Sequence, residues 1–143
     1  MSRFGCGLLV AVAVAVAVAV VGVAAWASAA ASPLPKVLSC SGKALLRPAG
    51  TVVLSCADGN SELRRTRWSA WGPRAALGAT DFGVNLCTPT CAASRMSFFP
   101  HSSVRLGGVT RSRQGLFFSR AVITYVRHGK TETFVANLPT RPL

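Results

Sequence analysis

The chain has 143 residues, half of them hydrophobic, and carries 16 Lys and Arg against 4 Asp and Glu, a formal net charge of +12. That length suits one ordinary domain and is too short for two. With only two histidines and four acids, hydrolytic chemistry that needs a base held by an orienting group has few residues to draw on.

Residues 1–31 read as a leader. Arg3 precedes an uncharged run from Gly5 to Ala31 that contains an alternating Ala/Val tract, Ala11 to Val20. A run of that length without a polar face fits an apolar helix better than a strand. Small residues cluster at its exit, in Ala27-Ser28-Ala29 and Ala29-Ala30-Ala31. A positive start, an apolar middle and an A-x-A exit are the parts of a secretory signal peptide. The length of the run makes an uncleaved membrane anchor the rival reading. Removal of residues 1–31 takes away Arg3 alone among the basic residues and none of Asp58, Glu62, Asp81 and Glu132. The remaining 112 residues then hold 15 basic and 4 acidic side chains, a net charge of +11. Such a charge favours anionic partners, whether envelope polymers, lipid headgroups or an acidic protein. Export makes nucleic acid an unsuitable physiological target, and membrane contact is expected only through an uncleaved leader.

Residues 32–39 open with Ser32-Pro33-Leu34-Pro35, an extended Pro-rich spacer. Thr51 to Cys56 is β-branched and apolar, a predicted strand. Ala57-Asp58-Gly59-Asn60 carries the Asp-Gly signal of a tight hairpin turn. The following stretch is predicted to be a strand from about residue 65. Arg65, Arg67 and Ser69 then share one face, and Thr66, Trp68 and Ala70 the other. Ala75 to Leu86, with Gly78 and Gly83, reads as a bent or bulged strand or a loop. From Met96 to Leu106, alternation puts Phe98, Pro100, Ser102, Val104 and Leu106 together, opposite Phe99, His101, Ser103 and Arg105. Pro100 marks this strand as an edge or a break. Gly107 to Gly115 is predicted to be a loop. Leu116 to Val126 is apolar on both faces and reads as a central strand covered twice. A turn around Gly129 leads to a last strand, Thr131 to Ala136, and residues 137–143 form a tail. No stretch has amphipathic helical periodicity, so the fold class is all-β: a small antiparallel sandwich or barrel-like domain over residues 40–136.

Cys6 lies in the leader, which leaves Cys40, Cys56, Cys87 and Cys91, an even number in an exported chain. Thr88-Pro89-Thr90 lets Cys87 and Cys91 approach each other, and Cys40 is then left with Cys56. A Cys56 bridge to Cys87 or Cys91 is the alternative if Cys56 ends a strand near that loop. Closing the Cys40–Cys56 loop contributes about 3 kcal/mol in the chain-entropy treatment. Structural bridges are favoured over a metal or redox site, because the histidines lie in other elements and the C-x-x-C and βαβ pattern of a redox dithiol is absent. No metal or cofactor is expected.

Arg47-Pro48, Val53-Leu54-Ser55-Cys56-Ala57-Asp58-Gly59-Asn60, Trp68-Ser69-Ala70-Trp71-Gly72 and Cys87-Thr88-Pro89-Thr90-Cys91-Ala92 together resemble a family of small secreted actinobacterial proteins, found in streptomycetes and mycobacteria. The resemblance spans roughly Cys40 to Val135. It implies export and disulfides and brings no catalytic residues with it.

Arg64, Arg65, Arg67, Trp68 and Trp71 form the candidate binding surface, since aromatic faces stack on sugars and guanidinium groups pair with phosphates or carboxylates. The competing reading places a Trp in the core with an Arg over its face. Ser102, His101 and Asp81 make a catalytic set only on paper, without a supporting motif. The other basic residues spread out: Arg111 and Arg113 at one end of a hairpin, and Arg127, His128 and Lys130 at the other. Such scatter favours diffuse attraction over one groove. The expectation is a monomeric, secreted, non-enzymatic binding or structural module of the cell envelope or exterior. An effector or inhibitor that uses the Trp-Arg stretch on a protein partner comes next, and an exported hydrolase third. Intact-mass analysis of culture supernatant is expected to find a species that begins just after residues 29–31. A full-length species confined to membranes would contradict that.

Overall fold

Apolar side chains recur from Leu116 to Tyr125, yet this stretch forms the strand next to the edge of the main sheet and not its centre. The computed structural model describes residues 32–142; the expected leader helix lies outside the described residues. The described chain is all-β and consists of β1 (Val37–Leu38), β2 (Ala44–Leu45), β3 (Val52–Val53), β4 (Ser61–Trp71), β5 (Ala76–Asn85), β6 (Met96–Ser112), β7 (Gly115–Arg127) and β8 (Lys130–Asn137). Strands β1 and β2 pair as a short ribbon, while β3 to β8 form one six-stranded antiparallel meander in chain order. The meander curls into a half-barrel. Every long strand pairs with its sequence neighbours, and the longest connection between the long strands, residues 86–95, carries the Cys87–Cys91 loop.

The concave face is the core. Leu63, Phe82, Val104, Leu106, Phe118, Ala121 and Ile123 point into it, and Val37, Val52, Leu54 and Leu138 pack onto them. The N-terminal segment is therefore part of the domain rather than a spacer. Pro35, Val37 and Leu38 are buried, and Lys36 bridges β7 in parallel at Phe117. The C-terminal residues are likewise no mere tail, since Asn137 ends β8 and Leu138 is buried.

Two indoles fasten this cover. Trp71 Nε1 donates to Pro35 O and Trp68 Nε1 donates to Pro48 O, each at 2.9 Å. The two rings meet edge to face with centroids 4.8 Å apart, and Trp71 meets Phe118 in the same way at 5.4 Å. Such pairs add about 0.5–1.5 kcal/mol beyond the area they bury. A second cluster joins Phe82 to Tyr125 and Phe134, and Tyr125 to Phe99. Burial, reinforced by a hydrogen bond to Glu132, pushes the Tyr125 phenol above its ordinary range.

Both expected disulfides are present. Cys40–Cys56 closes the segment that covers the core, with Cα atoms 5.2 Å apart. Cys87–Cys91 closes the small exposed loop, where the Cα atoms are 3.8 Å apart and the Thr88–Pro89 bond is cis.

Several local expectations change. Gly107–Gly115 is not a loop: β6 runs on to Ser112, which pairs with Gly115, so the turn is only Arg113-Gln114. Strand β7 is covered twice only at Phe117 and Phe118; farther along, Val126 is 62% exposed. Asp58-Gly59 does not form a two-residue hairpin, because the β3–β4 ladder begins at Val53↔Glu62. The loop is held instead by Gly59 N donating to Ser55 O and Asn60 N donating to Asp58 Oδ1. Gly59 has φ +66°, which glycine adopts at little cost. The Asn60 amide also holds the Asp58 carboxyl below its ordinary range.

Replacing Trp71 by Phe keeps most of the buried ring but leaves the Pro35 carbonyl without its donor. A loss of about 1–3 kcal/mol is expected, read as a lower urea midpoint at unchanged m-value. An unchanged midpoint would contradict the fastening role of the indole.

Candidate functional site

Strict alternation along β4 would turn Arg65 inward, opposite Arg64. The structure avoids this with a bulge. The β4–β5 register slips between Arg64 and Arg67, and Arg65 adopts φ +51°. Arg64, Arg65 and Arg67 are consequently all exposed while Thr66 is buried. A bulge adds one residue to one strand and re-aims the side chains beside it.

Strand β6 repeats the device. Its register with β5 slips opposite the step from Thr80 to Phe82, and His101 adopts φ +59°. Pro100 and His101 both face solvent, while Ser102 is buried. Pro100 therefore marks neither a sheet edge nor the end of the strand; it sits in the bulge, where no ladder hydrogen bond is asked of it. The slip also overturns the expected faces. Phe99 packs against the core with Val104 and Leu106, and Phe98 points outward.

Left-handed backbone at a residue other than glycine costs about 1–3 kcal/mol unless its surroundings fix it. Here three buried hydroxyls do so. Thr66, Thr80 and Ser102 are at most 3% exposed. Thr66 and Thr80 share a hydrogen bond of 3.0 Å, and Thr80 Oγ1 donates to Arg64 O at 3.0 Å. A hydroxyl has one proton, so Thr66 is the donor of the shared bond. Ser102 Oγ donates to Phe99 O at 2.8 Å. The carbonyls just ahead of both bulges thus regain partners.

Outside, acidic and aromatic neighbours order the arginines. Arg64 Nε lies 2.6 Å from Glu62 Oε1, an ion pair without hydrogen-bond alignment, since that oxygen has no hydrogen-bond partner. Its guanidinium lies 4.4 Å from the Phe98 ring centroid. Phe98 in turn rests where a side chain on Gly83 would stand: a Cβ there would come within 2.7 Å of Phe98 Cε1. Arg65 donates from Nε and a terminal nitrogen to Asp81 Oδ2. The Arg65 side chain is 85% exposed, so this pair orders the guanidinium more than it stabilises the fold. Arg67 makes no ion pair among the described residues.

Two open clefts meet at Arg65 and Asp81. One, of about 380 Å³, is lined by Arg64, Arg65, Asp81, Phe98 and Pro100. The other, of about 320 Å³, is lined by Arg65, Arg67, Ala79, Thr80, Asp81 and His101. The clefts present guanidinium groups, which as a type can pair with carboxylate, sulfate or phosphate, and the Asp81 carboxylate, which can accept hydrogen bonds from hydroxyls.

Of the candidate binding surface, the structure brings Arg64, Arg65 and Arg67 together and separates them from the tryptophans. Trp71 is 8% exposed and Trp68 packs on the same core. A second register slip, between Trp68 and Ala70, turns Trp71 inward beside Trp68. Cys40, Cys56, Cys87 and Cys91 are taken up in disulfides. Ser102, His101 and Asp81 do not assemble as a catalytic set, because Ser102 is buried and bonded to Phe99 O whereas His101 is exposed. Among the described residues no group of three His, Cys, Asp or Glu side chains is placed to hold a metal ion. Asp81, Phe98 and His101 join the arginines, a grouping that alternation along the sequence does not indicate. The available signal was an Arg-Arg pair inside a strand, which alternation cannot accommodate without a bulge. Comparison with family models, curated proteins and solved structures yields no match.

Thr80→Val removes the hydroxyl under both bulges at constant shape. It is expected to cost about 1–3 kcal/mol, the range for a buried group left unpaired. Thr133→Val, on the exposed face of β8, should stay within about 0.5 kcal/mol. Equal midpoints for the two variants in chemical denaturation would contradict the role given to the buried row.

Proposed function

We propose that the protein is an exported, non-enzymatic binding module that captures anionic groups on the convex face of its half-barrel, at Arg64, Arg65, Arg67 and His101 around Asp81. The observation that carries this reading is the paired bulge. It places these side chains on one face at a cost in backbone strain, with two of the arginines already ordered by Glu62, Phe98 and Asp81. Ordering in the free protein lowers the entropy lost on binding. Two disulfides are consistent with an oxidising, extracytoplasmic setting. The resemblance to small secreted actinobacterial proteins agrees with that setting, and a polymer of the cell envelope or exterior is the natural source of such anions. The protein acts as a monomer in this reading.

The test compares two triple variants of equal charge for retention on immobilised heparin and polygalacturonate. Arg64→Gln, Arg65→Gln and Arg67→Gln together should weaken binding at least tenfold, about 1.4 kcal/mol. Arg111→Gln, Arg113→Gln and Arg127→Gln together, at the hairpin ends, should have a clearly smaller effect. Equal losses would mean that net charge alone drives binding. Retention should also fall as salt rises past about 0.15 M, where the screening length is about 8 Å.

A further inference from the structure

The convex face carries a third cleft, and its position indicates the shape of the ligand. It measures about 380 Å³ and is lined by Arg105, Gly107, Gly108, Arg120 and Val122. Val104 and Leu106 point into the core, so Arg105 points out; Ala121 does the same for Arg120. Register places the clefts in one line. Arg64 pairs with Asp81, and Arg67 with Ala79, which faces Ser103. Leu77 pairs with Arg105, which faces Val122, and Gly107 pairs with Arg120. Each of these rows lies two residues beyond the one before, while the arginines move from β4 to β6 and then to β7. With strands about 4.8 Å apart and steps of about 3.4 Å per residue, the diagonal from Arg64 to Arg120 spans about 25 Å.

Resting on the binding reading above, we propose that the ligand is an acidic polysaccharide laid along this diagonal, with its anionic groups on Arg64, Arg65, Arg67, Arg105 and Arg120. Three features select a linear chain rich in hydroxyls. First, the clefts are open and lie on a convex face, so none can enclose the 70–90% of surface that a small-molecule site buries. Affinity has to accumulate over linked contacts. Second, the surface beside the arginines offers hydroxyl partners: Asp81 between the first two clefts, and the row Ser103, Thr124 and Thr133 across β6 to β8. Third, the face lacks platforms for stacked bases. Phe98 is the one large aromatic exposed among the described residues, and Arg64 already lies over its ring. Single-stranded nucleic acid draws much of its affinity from such stacking.

The experiment measures affinities of the purified protein for heparin-derived and polygalacturonate-derived oligosaccharides of increasing length, and for a single-stranded oligonucleotide of matched charge. Affinity for the oligosaccharides should rise at least tenfold from disaccharide to the length that fills the track, then flatten. The double variant Arg105→Gln, Arg120→Gln should remove most of that gain and leave disaccharide binding at Arg64, Arg65 and Arg67 within twofold. Its melting temperature should match the parent, since both side chains are exposed. If affinity does not depend on length, or the double variant binds long chains like the parent, the track is overturned while the anion site stands. If the Arg64/Arg65/Arg67 variant also binds normally, the binding reading itself falls. An oligonucleotide that binds as tightly as the matched oligosaccharide overturns the assignment to a glycan.

Discussion

Three hydroxyls buried under the sheet, on Thr66, Thr80 and Ser102, underlie the surface that faces solvent. An antiparallel ladder normally satisfies its own amides, and a bulge breaks that pattern. Two bulges side by side, at Arg65 and His101, would leave backbone carbonyls without partners inside the core. Thr80 takes up the carbonyl of Arg64 and Ser102 that of Phe99. The polar row thus links an unusual interior to an unusual exterior.

The concave side is committed to stability. Both indoles spend their N–H groups on carbonyls of the N-terminal segment, and Cys40–Cys56 closes that segment on itself. A single curved sheet cannot bury both of its faces, and here the cover of residues 35–56 closes one. The convex face is left to solvent, with arginines set among hydroxyl residues and exposed apolar side chains such as Leu77, Phe98, Val126 and Val135. Most surface ion pairs contribute little to stability. The pairs made by Glu62 and Asp81 are better understood as positioning devices, since each leaves guanidinium nitrogens free at the mouth of a cleft.

Much of the fold was legible in the sequence, and the reasons lie in particular residues. The all-β class followed from short alternating runs, and both disulfides from an even cysteine count and proximity. Facing was lost at the bulges. Alternation counted from Val104 back to Phe98 sets Phe98 inside and Phe99 outside; the extra residue at Pro100-His101 reverses both. A separate slip near Ala70 turns Trp71 from a surface candidate into a core residue. Gly107, Gly108 and Gly115 suggested a loop, yet Gly107 and Gly108 form part of β6 and the floor of the third cleft. The site was half visible. Arg64, Arg65 and Arg67 stood out by charge, whereas Asp81 and Phe98 join them, and Arg105 and Arg120 join the proposed track, only through strand register, which no local pattern encodes.

Amide and side-chain chemical-shift mapping during titration with an acidic oligosaccharide tests the central claim most directly. The account predicts that the largest perturbations fall on Arg64 to Arg67, Asp81, Phe98 and His101, followed by Arg105 and Arg120 as the chain is lengthened. Perturbations centred on the Arg113-Gln114 or His128-Gly129 turns, or spread evenly over all the basic residues, would contradict it.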